Sequence, residues 1–212
     1  IPEHCARITP DMLPLVDLEQ HCIDHIVQRV PGGAGNVQDI YPLAPLQEGI
    51  LFHHRMSSEG DTYLLPALMA FDTRQRLDRF VMALQWVITR HDSLRTAVHW
   101  EGLPQPVQVV WRQAKLAVEE VELSSGDAAT ELHERFNPRN YRLDIRDAPM
   151  QRVFVGFDRA QNRWLLLLLN HHMAFDHQAL QVIFAEAQAH LMGEHDQLAA
   201  PVPFREFVAQ AR

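Results

Sequence analysis

The chain has 212 residues, room for one ordinary domain or two small lobes with a core of globular size, which excludes a mini-protein or a disordered tail. Apolar residues make up 47% and charged residues 22%, and no apolar run is long enough to span a bilayer, so a membrane partner is not expected. With 19 Lys plus Arg against 27 acidic residues the net charge is −8, and the absence of a basic cluster argues against nucleic acid.

Residues 1–37 differ from the rest. They hold Pro10, Pro14 and the breaker cluster Pro31-Gly32-Gly33-Ala34-Gly35, and read as an interdomain connector. Within it Ile23, Ile26, Val27 and Val30 keep helical spacing, which predicts a short amphipathic helix over residues 17–29 docking on a neighbour. A second helix starts at Ala44-Pro45, where proline suits the first helical position, and carries Leu46, Ile50 and Leu51 up to His53-His54. Residues 63–71 read as a strand in which Pro66 argues for an edge or a bulge. Leu77, Phe80, Val81, Leu84, Val87 and Ile88 then share one helical face, ending near Arg90-His91.

Strands are expected over residues 105–110 and 116–123, followed by a helix over 128–136 capped by Ser124, Ser125 or Asp127. Residues 150–157 and 163–169 form two strands whose five-residue connection favours an antiparallel hairpin. A last helix, marked by Leu180, Ile183, Phe184, Ala187 and Leu191, can be closed by Gly193 as a left-handed residue. Strands and helices mixed without strict alternation give a layered α/β sandwich. Cys5 and Cys22 are the two cysteines, and nothing at the start resembles a signal segment, so a reducing cytoplasm is the expected home.

Four of the 13 histidines form adjacent pairs, His53-His54 and His171-His172. The second pair opens Asn170-His171-His172-Met173-Ala174-Phe175-Asp176-His177, directly after the most apolar strand and before a helix, where functional loops concentrate. The spacing is not that of a His-Glu-x-x-His zinc helix, so no metal is expected. Adjacent side chains at a strand end point to opposite faces, so one imidazole can pack inward while the other enters a cleft.

His171 to His177 resembles the His-His-x-x-x-Asp-Gly motif of condensation domains of nonribosomal peptide synthetases, which share the chloramphenicol acetyltransferase fold. His177 stands where that motif has glycine. Tyr41-Pro42-Leu43-Ala44-Pro45-Leu46-Gln47-Glu48-Gly49 looks like the family's opening motif, Arg90-His91-Asp92-Ser93-Leu94-Arg95-Thr96 like its second, and Pro203-Phe204-Arg205-Glu206-Phe207 like a later one. The resemblance covers residues 38–212, read as the N-terminal lobe of such a domain, with 1–37 as the linker that follows a carrier domain and a C-terminal lobe expected as a further partner. His53-His54 with Gly60-Asp61 is similar to the extended histidine motif of dual condensation/epimerization domains, Arg55 standing where Ile or Leu is usual.

The resemblance implies peptide-bond formation between substrates on upstream and downstream peptidyl carrier proteins, with no directly bound cofactor, since phosphopantetheine arrives on the carriers. It implies that His172 faces the reaction channel as base or positioning partner, with His171 beside it. Asp176 is structural and paired with an arginine, for which Arg95 is the candidate. Epimerization of the donor residue would draw on His53 and His54, with His172 shared by both reactions, and Arg90, Gly60, Asp61 and His177 are supporting residues of the site. A condensation domain without epimerization, a coenzyme A-dependent acyltransferase of the same fold, and a noncatalytic docking module are the alternatives.

Overall fold

A computed structural model describes residues 1–124, 126–174 and 177–211, without the side chain of His177. Along the chain come α1 (Gln20–Arg29), β1 (Val37–Pro42), α2 (Pro45–Met56), β2 (Leu64–Phe71), α3 (Arg74–Arg90), β3 (Thr96–His99), β4 (Val107–Trp111), β5 (Ala117–Glu120), α4 (Ala128–Arg135), β6 (Gln151–Asp158), β7 (Arg163–His171), α5 (His177–Met192) and α6 (Phe204–Ala211). The strands form two sheets, one ordered β1-β4-β3 and the other β2-β7-β6-β5.

The leucine run of β7 is apolar at every position because both faces of its sheet are covered. Leu166 and Leu168 join Val153, Val155, Leu84, Val87, Ile88, Ile183 and Ala187 under α3 and α5. Leu165, Leu167 and Leu169 turn the other way, to Phe154, Leu132 and Phe136 at α4. Each fully buried leucine contributes roughly 2 kcal/mol, so this strand anchors the layers. It pairs antiparallel with β6 through the expected hairpin, Asp158 opposite Arg163. β2 lies at the sheet edge, where Pro66 costs no interior ladder bond, and it delivers Leu64 opposite His171. The mixed layers bear out the α/β sandwich.

Two strands and one helix depart from the sequence reading. β1 and β3 complete the three-stranded sheet around β4, and α6 packs Val208 against Tyr41, Ala44 and Val110. Sequence-distant motifs meet there: the Arg205 guanidinium sits 2.7 Å from Asp39, and Asp92 accepts the Phe204 N–H at 3.0 Å. Asp127 is the N-cap of α4, accepting from Ala129 and Thr130, and Gly193 (φ +76°) closes α5, with Glu194 N–H returning to Ala189 O.

The first 37 residues are docked along most of their length, not by the helix alone. α1 starts at Gln20, later than position 17, and buries Cys22, Ile23 and Ile26. Ile8, Leu13, Val16, Leu18 and Val30 join them against Val37, Ile40, Ala97, Val107, Val109 and Trp111 of the three-stranded sheet.

Candidate functional site

Helical periodicity decides how the first histidine pair divides. The buried positions of α2 are Gln47, Ile50, Leu51 and His54, spaced three, four and seven residues from the first, so His54 faces in while His53 is exposed. The end of α2 is held by Arg142, which donates to the carbonyls of His54 and Ser57. The chain then turns through Gly60 at φ +66°, a conformation that favours glycine. A Cβ at Gly60 would also overlap the Arg139 carbonyl and lie 2.7 Å from Pro138 O. That close approach lets Asp61 N–H bond Pro138 O at 2.7 Å and sends the Asp61 carboxylate inward.

Asp61 is the hub of the site. One carboxylate oxygen faces His54 Nδ1 at 3.0 Å and His171 Nε2 at 2.9 Å, and the other accepts the Tyr63 N–H at 3.0 Å. All three side chains are almost fully buried, at 4% exposure or less. Burial alone would raise the Asp61 pKa, but the hydrogen bonds from His171 and His54, with that from Tyr63, hold it well below the usual carboxylate range. An ionised carboxylate only accepts, so the facing nitrogen of each ring carries a hydrogen. For His171 a second contact fixes the tautomer: its Nδ1 accepts the Met173 N–H at 3.0 Å. Burial is the leading cause that lowers the His171 pKa, outweighing the attraction of Asp61, and a second ring hydrogen would collide with that donor.

The three ligand atoms of His54, Asp61 and His171 lie within 4.8 Å of one another, close enough to invite a metal reading. The hydrogen bonds point elsewhere. A metal on His171 Nε2 would displace its hydrogen to Nδ1, against the Met173 amide, so the constellation is built as a hydrogen-bond network.

The second pair divides as adjacent strand-end residues should. His171 is fully buried, whereas His172 is half-exposed and its backbone N–H bonds Tyr63 O at 2.8 Å. Tyr63 therefore ties the two motifs: its N–H is held by Asp61, its carbonyl holds His172, and its ring meets the edge of His53 at a centroid distance of 6.0 Å. The exposed histidine of the first pair lies on one side of Tyr63, and the loop carrying His172 is bonded to its carbonyl.

Asp176 lies outside the described residues, as does the His177 side chain. Arg95, the partner proposed for Asp176 from sequence, is buried and donates to Thr89 O, Gln38 Oε1 and the Trp111 carbonyl, which binds the end of α3 to the three-stranded sheet. Arg90 and His91 both reach Glu186, at 3.1 and 2.7 Å, and so fasten α3 to α5, the helix that leaves the site loop. Sequence reasoning passed over Tyr63, Met173, Arg142 and Gln47. Of these, Gln47 alone carried a signal, since it shares the buried stripe of α2 with His54. A hollow of about 810 Å³ beside Trp111 and Arg112 is lined by none of these histidines.

Comparison with known proteins bears on this arrangement. A model of the condensation domain family matches residues 37–212. Malpinin synthetase of Mortierella alpina is 49% identical over 209 residues, covering 98% of this chain and 3% of that protein. One of the chains of linear gramicidin synthase from Brevibacillus parabrevis is 30% identical over 224 residues, covering 99% of this chain and 4% of that protein. The chain thus spans a few per cent of the length of these curated relatives. Among solved structures, the first condensation domain of the CDA synthetase superposes with a TM-score of 0.63 at 13% identity, over 82% of this chain and 45% of that one, which shows the shared chloramphenicol acetyltransferase-like fold.

Proposed function

The chain belongs to the condensation domain family, and we propose that residues 38–212 are the N-terminal lobe of a domain that forms peptide bonds between carrier-bound substrates in nonribosomal peptide synthesis. One observation carries the reading: His172 is half-exposed on a loop whose backbone is tied to Tyr63, while its neighbour His171 is locked beneath it by Asp61 and Met173. A rigid base under a reactive imidazole is what a positioned acid/base group requires.

In the proposed reaction the amine of an acceptor aminoacyl group attacks the thioester carbonyl of the donor. His172 draws the ammonium proton, or holds the attacking amine by a hydrogen bond. The new C–N bond forms, the C–S bond of the tetrahedral intermediate breaks, and the donor carrier's thiol leaves with a proton. Both substrates arrive as thioesters on the phosphopantetheine arms of upstream and downstream peptidyl carrier proteins, so this chain needs to bind no cofactor of its own. Residues 1–37 are read as the connector from an upstream carrier, in keeping with the near-complete coverage of this chain by malpinin synthetase. A C-terminal lobe supplies the other wall of the channel. No described helix is long and apolar enough to cross a membrane, and a reducing cytoplasm suits the two free cysteines.

Epimerization of the donor residue before joining is the second reading, favoured by the extended motif and by His53. The exposed His53 beside Tyr63 becomes the acid/base candidate, and the buried His54 its support through Asp61. Asp176 keeps the supporting role that the motif implies, and His177, which replaces the motif's glycine, is read as a supporting residue. The test uses a chain carrying the complete domain, a donor carrier bearing an L-terminated peptide, and an acceptor carrier, all in deuterated buffer. A longer peptide is expected, and His172→Ala should lower its rate about 100- to 10,000-fold. A D-configured, deuterium-labelled residue at the joint, lost in His53→Ala, supports the dual activity. An unlabelled L-residue leaves condensation alone, and no elongation overturns the whole reading.

A further inference from the structure

We propose that Gln47, paired with Gln108, is a positioning residue for the loop that carries His172. The inference rests on the condensation reading above and extends it to two amides that no motif role explains. Gln47 is the third residue of α2 and lies 7% exposed; Gln108 sits on β4, 61 residues away in sequence and 1% exposed.

Every hydrogen-bonding position of the Gln47 amide is used. Its Oε1 accepts the Ala44 N–H at 2.8 Å and Gln108 Nε2 at 2.7 Å. Its Nε2 donates to Gln108 Oε1 at 3.0 Å and to the Met173 carbonyl at 2.9 Å. The amide orientation follows from these partners: Ala44 offers only a donor and Met173 only an acceptor, so a flipped amide would fail on both sides. Gln108 Nε2 also donates to Pro42 O at 3.2 Å, anchoring the pair to β1.

Met173 is the point of action. Its carbonyl is held by Gln47, and its N–H is spent on His171 Nδ1. The peptide groups on both sides of this residue are thus fixed, one from the start of α2 and one from the Asp61 hub. His172 lies between His171 and Met173, with its own N–H on Tyr63 O. Three short tethers from three parts of the chain hold the backbone that aims the His172 ring. A glutamine at the third helical position can accept from the N-cap amide as a local capping device. Capping needs only the oxygen, whereas the donation to Met173 needs the NH₂ group, and that difference makes the proposal testable.

Gln47→Glu in a chain carrying the complete domain keeps an acceptor for Ala44 but turns a carboxylate oxygen toward the Met173 carbonyl. At pH 8 the condensation kcat should fall about tenfold or more while KM for both carrier substrates stays unchanged, the pattern of a lost transition-state alignment. The deficit should shrink as pH falls and the new carboxyl gains a hydrogen to donate. Amide exchange in residues 171–174 should quicken at pH 8, with β6 and the rest of β7 protected as before. A variant equal to the parent protein at pH 8, or slowed with no change in exchange at 171–174, overturns the proposal. Should Gln47→Glu not fold, Gln108→Met takes its place: quicker exchange at 171–174 with a several-fold lower kcat is expected, and unchanged exchange overturns it. Failure of the parent domain to elongate any peptide would instead strike the functional reading, while the exchange measurement would still judge the tether.

Discussion

Each histidine pair contains one ring turned into the protein and one turned out, and the two kinds are built differently. His54 and His171 sit against a single buried carboxylate oxygen, 5.6 Å apart between ring centroids, with the hydrogen of each facing nitrogen dictated by its partner. His53 is exposed and His172 half-exposed, and both are connected to the same Tyr63, one through its ring and the other through its carbonyl. Both inner rings have a fixed partner in Asp61, and His171 also has a fixed tautomer, which suits them to hold geometry. The outer rings keep access to solvent. A repeated dipeptide thus divides into a buried and an accessible ring by nothing more than the helix period at one end and the strand period at the other.

The contrast breaks most sharply at Asp61. Asp61→Ala leaves two buried ring donors and the Tyr63 amide facing an apolar methyl group, and should cost about 3–5 kcal/mol, as removal of one member of a buried pair does. His53→Ala and His172→Ala should stay within about 0.5 kcal/mol of the parent. Urea midpoints of the three variants decide it, and a similar loss in all three would erase the distinction between inner and outer rings.

Gly60→Ala tests how the hub is delivered. The methyl group meets the Arg139 carbonyl in a left-handed backbone, so the turn must move and Asp61 with it. A loss of about 2 kcal/mol is expected from the strain. Shifted His54 and His171 ring resonances should accompany it, with little change in those of His53. Unmoved inner rings would show that Asp61 reaches them without help from the glycine.

Much of this was legible in the sequence where a long pattern spoke for itself. The α3 stripe, the β6–β7 hairpin, the Asp127 cap and the Gly193 stop all rest on local signals that tertiary packing reinforces. β1 and β3 were not legible. Val37–Pro42 is buried at nearly every position and shows no alternation, and Thr96–His99 is four residues long, too short for a period. The eight-residue α6 suffered similarly. Within the site, the inward turn of His54 is readable from the helical spacing it shares with Gln47, Ile50 and Leu51. The bonds from Asp61 to His171 and from Gln47 to Gln108 join residues 110 and 61 positions apart, and no local pattern announces such partners.

Acid should test the buried ring of the second pair by the smallest but cleanest margin. His171 has its pKa lowered by burial, and His99, buried on β3 near Arg29 and Arg146, is pushed down to about 4, burial again leading. A group with a folded pKa below its unfolded value takes up its proton on unfolding, so its stability contribution is complete above the unfolded value of about 6.5 and erodes as pH falls toward the folded one. His99 alone should remove about 1 kcal/mol between pH 7.5 and 5.5. Asp61 works the other way: held below the ordinary carboxylate range, it stays ionised throughout that window and loses nothing there. The urea midpoint of the parent protein is therefore expected to fall from pH 7.5 to 5.5. His99→Leu should flatten part of the slope, leaving the share that belongs to His171. A midpoint that holds level in the parent protein would mean that His99 and His171 accept protons in place, and that the buried ring of the second pair is no more closed to protons than a surface histidine.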